Sequence, residues 1–123
     1  MQDIIDRIAN AAGIDPATAT QAVGAILAFL QKEGPAEEVG RVLQSIPGAS
    51  ELAAQHADGA GGGLMGMFGG GLMALAGKLS GLGLGMGEMQ SVGRELFDVA
   101  RERAGEDTVG QIAGSIPGLG QFT

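Results

Sequence analysis

The 123-residue chain has no cysteine, tyrosine or tryptophan, a single histidine and four phenylalanines. Without cysteine there is no disulfide framework, no thiolate metal ligand and no cysteine nucleophile. One imidazole, no phenol and no basic cluster leave few parts for catalysis. No catalytic or metal-ligating residue is therefore assigned, no cofactor is expected, and the chain reads as a non-enzyme. Positive charge is also scarce: 7 basic residues stand against 14 acidic ones, for a net charge of −7 and a pI near 4.4. Such a chain repels phosphate backbones and lacks the basic stripe and stacking aromatics of nucleic-acid binders, so nucleic acid is excluded as a partner. The start, Met1-Gln2-Asp3-Ile4-Ile5-Asp6-Arg7, is charged at once and lacks the basic-then-apolar order of a secretory signal. This points to a cytoplasmic protein.

Glycine, by contrast, is abundant. It fills 24 of 123 positions, about three times its ordinary share. A mass of 12.2 kDa allows one compact domain or two very small ones. Charge is unevenly placed. Residues 1–58 carry eight acids and three bases and residues 88–123 carry six and three, whereas residues 59–87 carry only Lys78. A nearly uncharged, glycine-rich, apolar insert thus separates two acidic flanks.

The flanks read as helical. Ile4, Ile5, Ile8 and Ala12 recur at helical spacing, with Gly13 as the permissive residue after them, and Asp3 is placed to pair with Arg7 one turn on. Asp15-Pro16 is a stronger start signal, a capping acid followed by a first-turn proline. It leads into a stripe of Ala19, Ala22, Val23, Ile26, Leu27 and Leu30 with Phe29 beside it. Gly34-Pro35 stops that helix and opens a third, with Glu37 and Glu38 at its positive end and Val39, Val42, Leu43 and Ile46 as its apolar side. A short stretch capped by Ser50 follows and carries His56 near its end. No segment alternates with period two over a useful length.

Sliding the chain by 70 positions lays residues 13–48 on 83–118 without a gap. Seven positions are identical: Gly13, Val39, Gly40 and the run Ser45-Ile46-Pro47-Gly48 match their counterparts. The pattern is stronger than the count. Ala22 falls on Val92, Ile26 on Leu96, Leu27 on Phe97, Phe29 on Val99 and Val42 on Ile112. Apolar positions persist while polar ones vary, as in a duplicated helical hairpin. Met73–Leu82 extends the match to the first helix. The second copy departs at the cap, with Gly85-Met86 for Asp15-Pro16, and at the turn, with Ala104-Gly105.

The centre admits two readings. Glycine costs about 1 kcal/mol per position inside a helix, so Gly61-Gly62-Gly63 and Gly69-Gly70-Gly71 favour a linker. Gly62, Gly66, Gly70 and Ala74 nevertheless recur every four residues, the small-residue spacing that lets helix backbones approach. A linker to about Gly71 followed by a helix is the preferred reading.

Motifs in this region carry little chemistry. Gly61, Gly63 and Gly66 satisfy the spacing of a dinucleotide loop, but no strand precedes them. Gly77-Lys78 lacks both the earlier glycine and the hydroxyl residue of a phosphate loop. His56 has no fixed acidic partner and reads as solvent-facing. The acidic residues read as caps and solvated faces, and none pair as a general acid and base. Met65, Met67, Met73, Met86 and Met89 offer thioethers suited to Cu(I), yet methionine is also the adaptable filler of apolar contacts, and packing is the preferred role. Residues 59–77 are 19 positions without a charge, nine of them glycine. That is about the length of a bilayer span, but glycine contributes little transfer energy and acidic flanks oppose an anionic leaflet. Membrane contact is possible and not favoured.

The run Ala12-Gly13-Ile14-Asp15-Pro16, Gly24, Ser45-Ile46-Pro47-Gly48, the Gly/Leu/Met-rich centre and the ending Ser115-Ile116-Pro117-Gly118-Leu119-Gly120-Gln121-Phe122 together resemble a small bacterial family, the VcgC/VcgE-like proteins of unknown function. The resemblance covers nearly the whole chain. It implies an all-helical bacterial protein and supplies no activity or site residue.

The expectation is thus an all-α small bundle of two helical-hairpin repeats flanking a glycine-rich segment. Residues 1–56 form the first repeat, 57–71 the linker and 72–123 the second repeat, packed as one domain. Each repeat is too small to bury a comfortable core alone. Phe29, Leu30, Phe97 and Val99 should be central to the joint core. The expected partner is another copy of the chain or another protein. The expected interaction surface is Leu64, Met65, Met67, Phe68, Leu72, Met73 and Leu75.

Overall fold

Seven α-helices and no strand make up the described part of the protein, a computed structural model covering residues 2–60 and 72–116. In chain order they are α1 Gln2–Ala12, α2 Pro16–Glu33, α3 Ala36–Ser45, α4 Ala49–Ala60, α5 Leu72–Gly81, α6 Met86–Ala104 and α7 Glu106–Ser115. The protein is an all-α bundle.

Helix boundaries follow from local chemistry. Gly13 takes φ 70° after α1, and the Ile14 N–H returns to the Ala9 carbonyl at 3.0 Å. This left-handed glycine cap satisfies a carbonyl that would otherwise lack a partner. The same device closes α5, where Gly83 takes φ 91° and the Leu84 N–H reaches the Leu79 carbonyl at 3.3 Å. Proline opens α2 as expected, and α1 and α2 meet at a 104° bend. Asp15 occupies the capping position with extended backbone, but its side chain makes no capping bond, which corrects the role expected of it. α4 begins at Ala49, one residue before the expected Ser50 cap. It is launched by the Gly48 carbonyl, which accepts from the Leu52 N–H, with Gly48 itself at φ 85°. α4 also runs to Ala60, so residues 57–60 of the expected linker are helical. Residues 61–71 lie outside the described part.

α2 is the central helix. α1, α3, α4 and α5 all pack against it, and burial along it is unbroken from Ala22 to Leu30. The small residues Gly24, Ala25 and Ala28 let those neighbours come close. α6, the long helix of the other half, packs against α1, α3, α7 and α2 itself. One contiguous apolar cluster unites both halves. Ile26, Leu27, Leu30, Leu96, Phe97 and Val99 are all at most 3% exposed within it, and Phe29 is 8% exposed.

The element bounds follow the 70-residue offset. α2 and α6 begin at corresponding residues, as do α3 and α7, and as do α1 and α5. Buried positions correspond too: Ala19 with Met89, Ala22 with Val92, Val23 with Gly93, Val39 with Val109, Val42 with Ile112 and Ile46 with Ile116 are buried in both members. Two local differences stand out. α6 runs one corresponding residue further than α2 before Gly105 breaks it at φ 101°. Where α2 has buried Gly24, Ala25 and Ala28, α6 has Arg94, Glu95 and Asp98, none of them buried. Between the halves α1 packs on α6, α5 on α2, α2 on α6, and α3 on both α6 and α7.

Candidate interaction surface

The residues expected to form a contact surface fall in three places. Leu64, Met65, Met67 and Phe68 lie outside the described residues. Leu72 and Met73 open α5, of which only the backbone is described there. Leu75 is 8% exposed and joins Leu79 in the common core, so in the single chain it anchors α5 and does not face outward. Gly77, Ser80 and Gly81 are exposed, and a Cβ added at either glycine would meet nothing within 4 Å.

The remaining candidates separate in the same way. Met86 stands at the start of α6 with 70% of its surface in water, and Met89 one turn later is buried at 6%. Their thioethers therefore sit in opposite environments and do not converge as a ligand pair. His56 belongs to α4, but its side chain lies outside the described set. Among the described residues no group of three or more histidine, aspartate or glutamate side chains is placed to hold a metal ion. Nor is any single described helix long and apolar enough to cross a membrane.

One polar arrangement escaped the sequence. Arg7 on α1 does not pair with Asp3. Its Nε donates to Glu95 Oε2 at 3.0 Å and its Nη2 donates to Glu102 Oε2 at 3.1 Å, both on α6. The three side chains are 45%, 26% and 58% exposed, so the cluster rims the junction between halves and does not penetrate the core. The guanidinium pKa is raised, chiefly through the hydrogen bond that it donates to Glu102 and, against an opposing desolvation, by that carboxylate's charge and by Glu95. Arg7 is thus a fixed cation. Nearby, Arg101 Nη1 donates to Asp98 Oδ1 at 2.8 Å along α6. The local rule pointed to Asp3 because it sees only neighbours one turn away. Partners 88 and 95 positions distant leave no such signal.

No protein-family model matches the chain, and comparison with curated proteins and with solved structures finds no match.

Proposed function

We propose that the protein is a non-enzymatic, cytoplasmic helical module that associates with further copies of itself, or with another protein, through the apolar Gly/Met/Leu segment around Leu64, Met65, Met67, Phe68, Leu72 and Met73. The observation that carries this reading is the charge-free run of residues 59–77, set against flanks whose large apolar residues are nearly all accounted for. Met86 is the one strongly exposed large hydrophobic residue among the described side chains. Contiguous apolar surface beyond what a small monomer ordinarily leaves in water marks an interaction site. The matching bounds and burial of the two halves favour a duplicated unit, joined through the glycine-rich residues as one domain. The resemblance to the VcgC/VcgE-like family fits an all-helical bacterial protein and adds no activity.

Light scattering after size exclusion tests the proposal on the intact chain, on a Met67→Glu variant and on a deletion of residues 61–71. Oligomers of the intact chain that Met67→Glu and the deletion both shift to lower mass are the expected result. A strict monomer at high concentration would refute it. The runner-up, peripheral membrane attachment through the same uncharged run, predicts flotation with liposomes that Met67→Glu or Leu72→Glu weakens.

A further inference from the structure

We infer that the junction between the two halves is itself a self-recognition surface. A second copy of this chain can be taken up there by exchange of halves, and the Arg7–Glu95–Glu102 cluster dictates which half accepts which.

Three observations carry this. Packing across the junction is largely paired: the leading helix α1 lies on the long helix α6 of the other half, its counterpart α5 lies on α2, α2 meets α6 and α3 meets α7, with α3 on α6 as an added contact. Two chains exchanging residues 72–116 would recreate every one of these contacts between molecules, the condition under which swapping costs little. The halves also share their core, with Ile5, Ile8 and Leu27 from one and Leu79, Leu96 and Phe97 from the other in a single cluster. An unpaired half would leave that surface in water.

The third observation is electrostatic. Near-equivalent halves raise the hazard of a wrong pairing, first half with first half of another chain. Under the 70-residue correspondence, Glu95 and Glu102 of α6 become Ala25 and Lys32 of α2. In such a pairing Arg7 would lose both carboxylates and face the ammonium of Lys32. The cluster therefore favours first-with-second pairing by attraction and opposes first-with-first by repulsion, the two sides of specificity. Exposed ion pairs add little to stability, but the choice between otherwise similar partners depends only on the difference.

The test uses two full-length variants. Arg7→Glu spoils the cluster within its own chain, and so does Glu95→Lys combined with Glu102→Lys. An exchanged dimer containing one copy of each restores both junctions, one native and one with all charges reversed. The two proteins are unfolded, mixed in equal amounts, refolded at low salt and weighed by native mass spectrometry. The ratio of mixed dimer to the two homodimers combined should exceed its statistical value of unity about fivefold, as expected for a few exposed pairs, and the excess should fade at high salt. A mixed dimer at its statistical share, or none, overturns the inference. Placing Met67→Glu in both chains separates this from the segment-mediated association proposed above. An excess that persists supports the junction whether or not that surface exists, and an excess that vanishes assigns the association to the segment and overturns the junction.

Discussion

Ile46 and Ile116, seventy positions apart, close their helices with the same backbone conformation, φ/ψ −111°/111° and −112°/114°. Both side chains are buried in the shared core, at 0% and 4% exposure. Each stands between the end of a short helix and a proline, where an extended residue is favoured. The pair matches in backbone conformation and in burial, with the same side chain sent inward at corresponding positions. The protein's stability should then depend on each half in a comparable way.

Leu27 and Phe97 test that first. They correspond under the offset and are 0% and 2% exposed. Leu27→Ala should cost about 2–5 kcal/mol and Phe97→Ala about 3–5 kcal/mol, each read as a lowered midpoint of a single denaturant transition. Leu27→Asp should abolish cooperative melting, because it buries an unpaired carboxylate. A cooperative melt at the unaltered midpoint would remove Leu27 from the core.

The two interhelical turns should respond to different substitutions. Gly105 sits at φ 101° and ψ 150°, a region reserved for glycine, so Gly105→Ala should cost about 1–3 kcal/mol. Gly34 has an ordinary φ of −88°. A Cβ there would lie 2.7 Å from the Leu30 carbonyl oxygen and 2.8 Å from Val39 Cγ2. Gly34→Ala should therefore destabilise by crowding, by about 1–3 kcal/mol. Thermal melts of both variants decide this, and neutrality in either would contradict the corresponding turn geometry.

Met86 and Met89 provide a paired control. Met86→Glu should leave the unfolding free energy within about 0.5 kcal/mol of the parent, as for an ordinary surface change. Met89→Glu, at a position 6% exposed, should lower it by several times that amount.

Arg7→Ala should be mild. Both of its pairs are solvent-exposed, and such pairs contribute about 0–1 kcal/mol each. The loss should shrink further in high salt, measured by chemical denaturation at two ionic strengths. A large, salt-independent loss would mean that Arg7 supports packing through its aliphatic stem and not through its charge.

Much of this fold was legible in the sequence, because helix ends and apolar stripes are local signals. Pro16, Gly13 and the Gly34-Pro35 stop marked α1, α2 and α3 to within a residue. The stripe through Ile26, Leu27 and Leu30 identified the buried side of α2, and the 70-residue correspondence identified that of α6. What escaped was tertiary. The complete burial of Gly24, Ala25 and Ala28 depends on how many helices surround α2, which no stripe encodes. Asp15 has the right residue type and backbone for a cap, yet its side chain does not make the bond. Arg7 had a plausible partner one turn away, and the folded chain offered two carboxylates on another helix instead. Of the candidate surface, only Leu75 has a described side chain, and its burial follows from helical spacing with Leu79, which places both on the same side of α5.

The central claim is that the helices before and after the glycine-rich residues shield one another in a common core. Hydrogen exchange read by mass spectrometry tests it most directly, comparing backbone amides of α2 and α6 in the parent chain and in Leu27→Ala. If the halves depend on each other, the mutation in α2 should reduce protection in α6 by the same opening free energy as in α2. Protection of α6 that stays at its parental level while α2 loses its own would contradict the account.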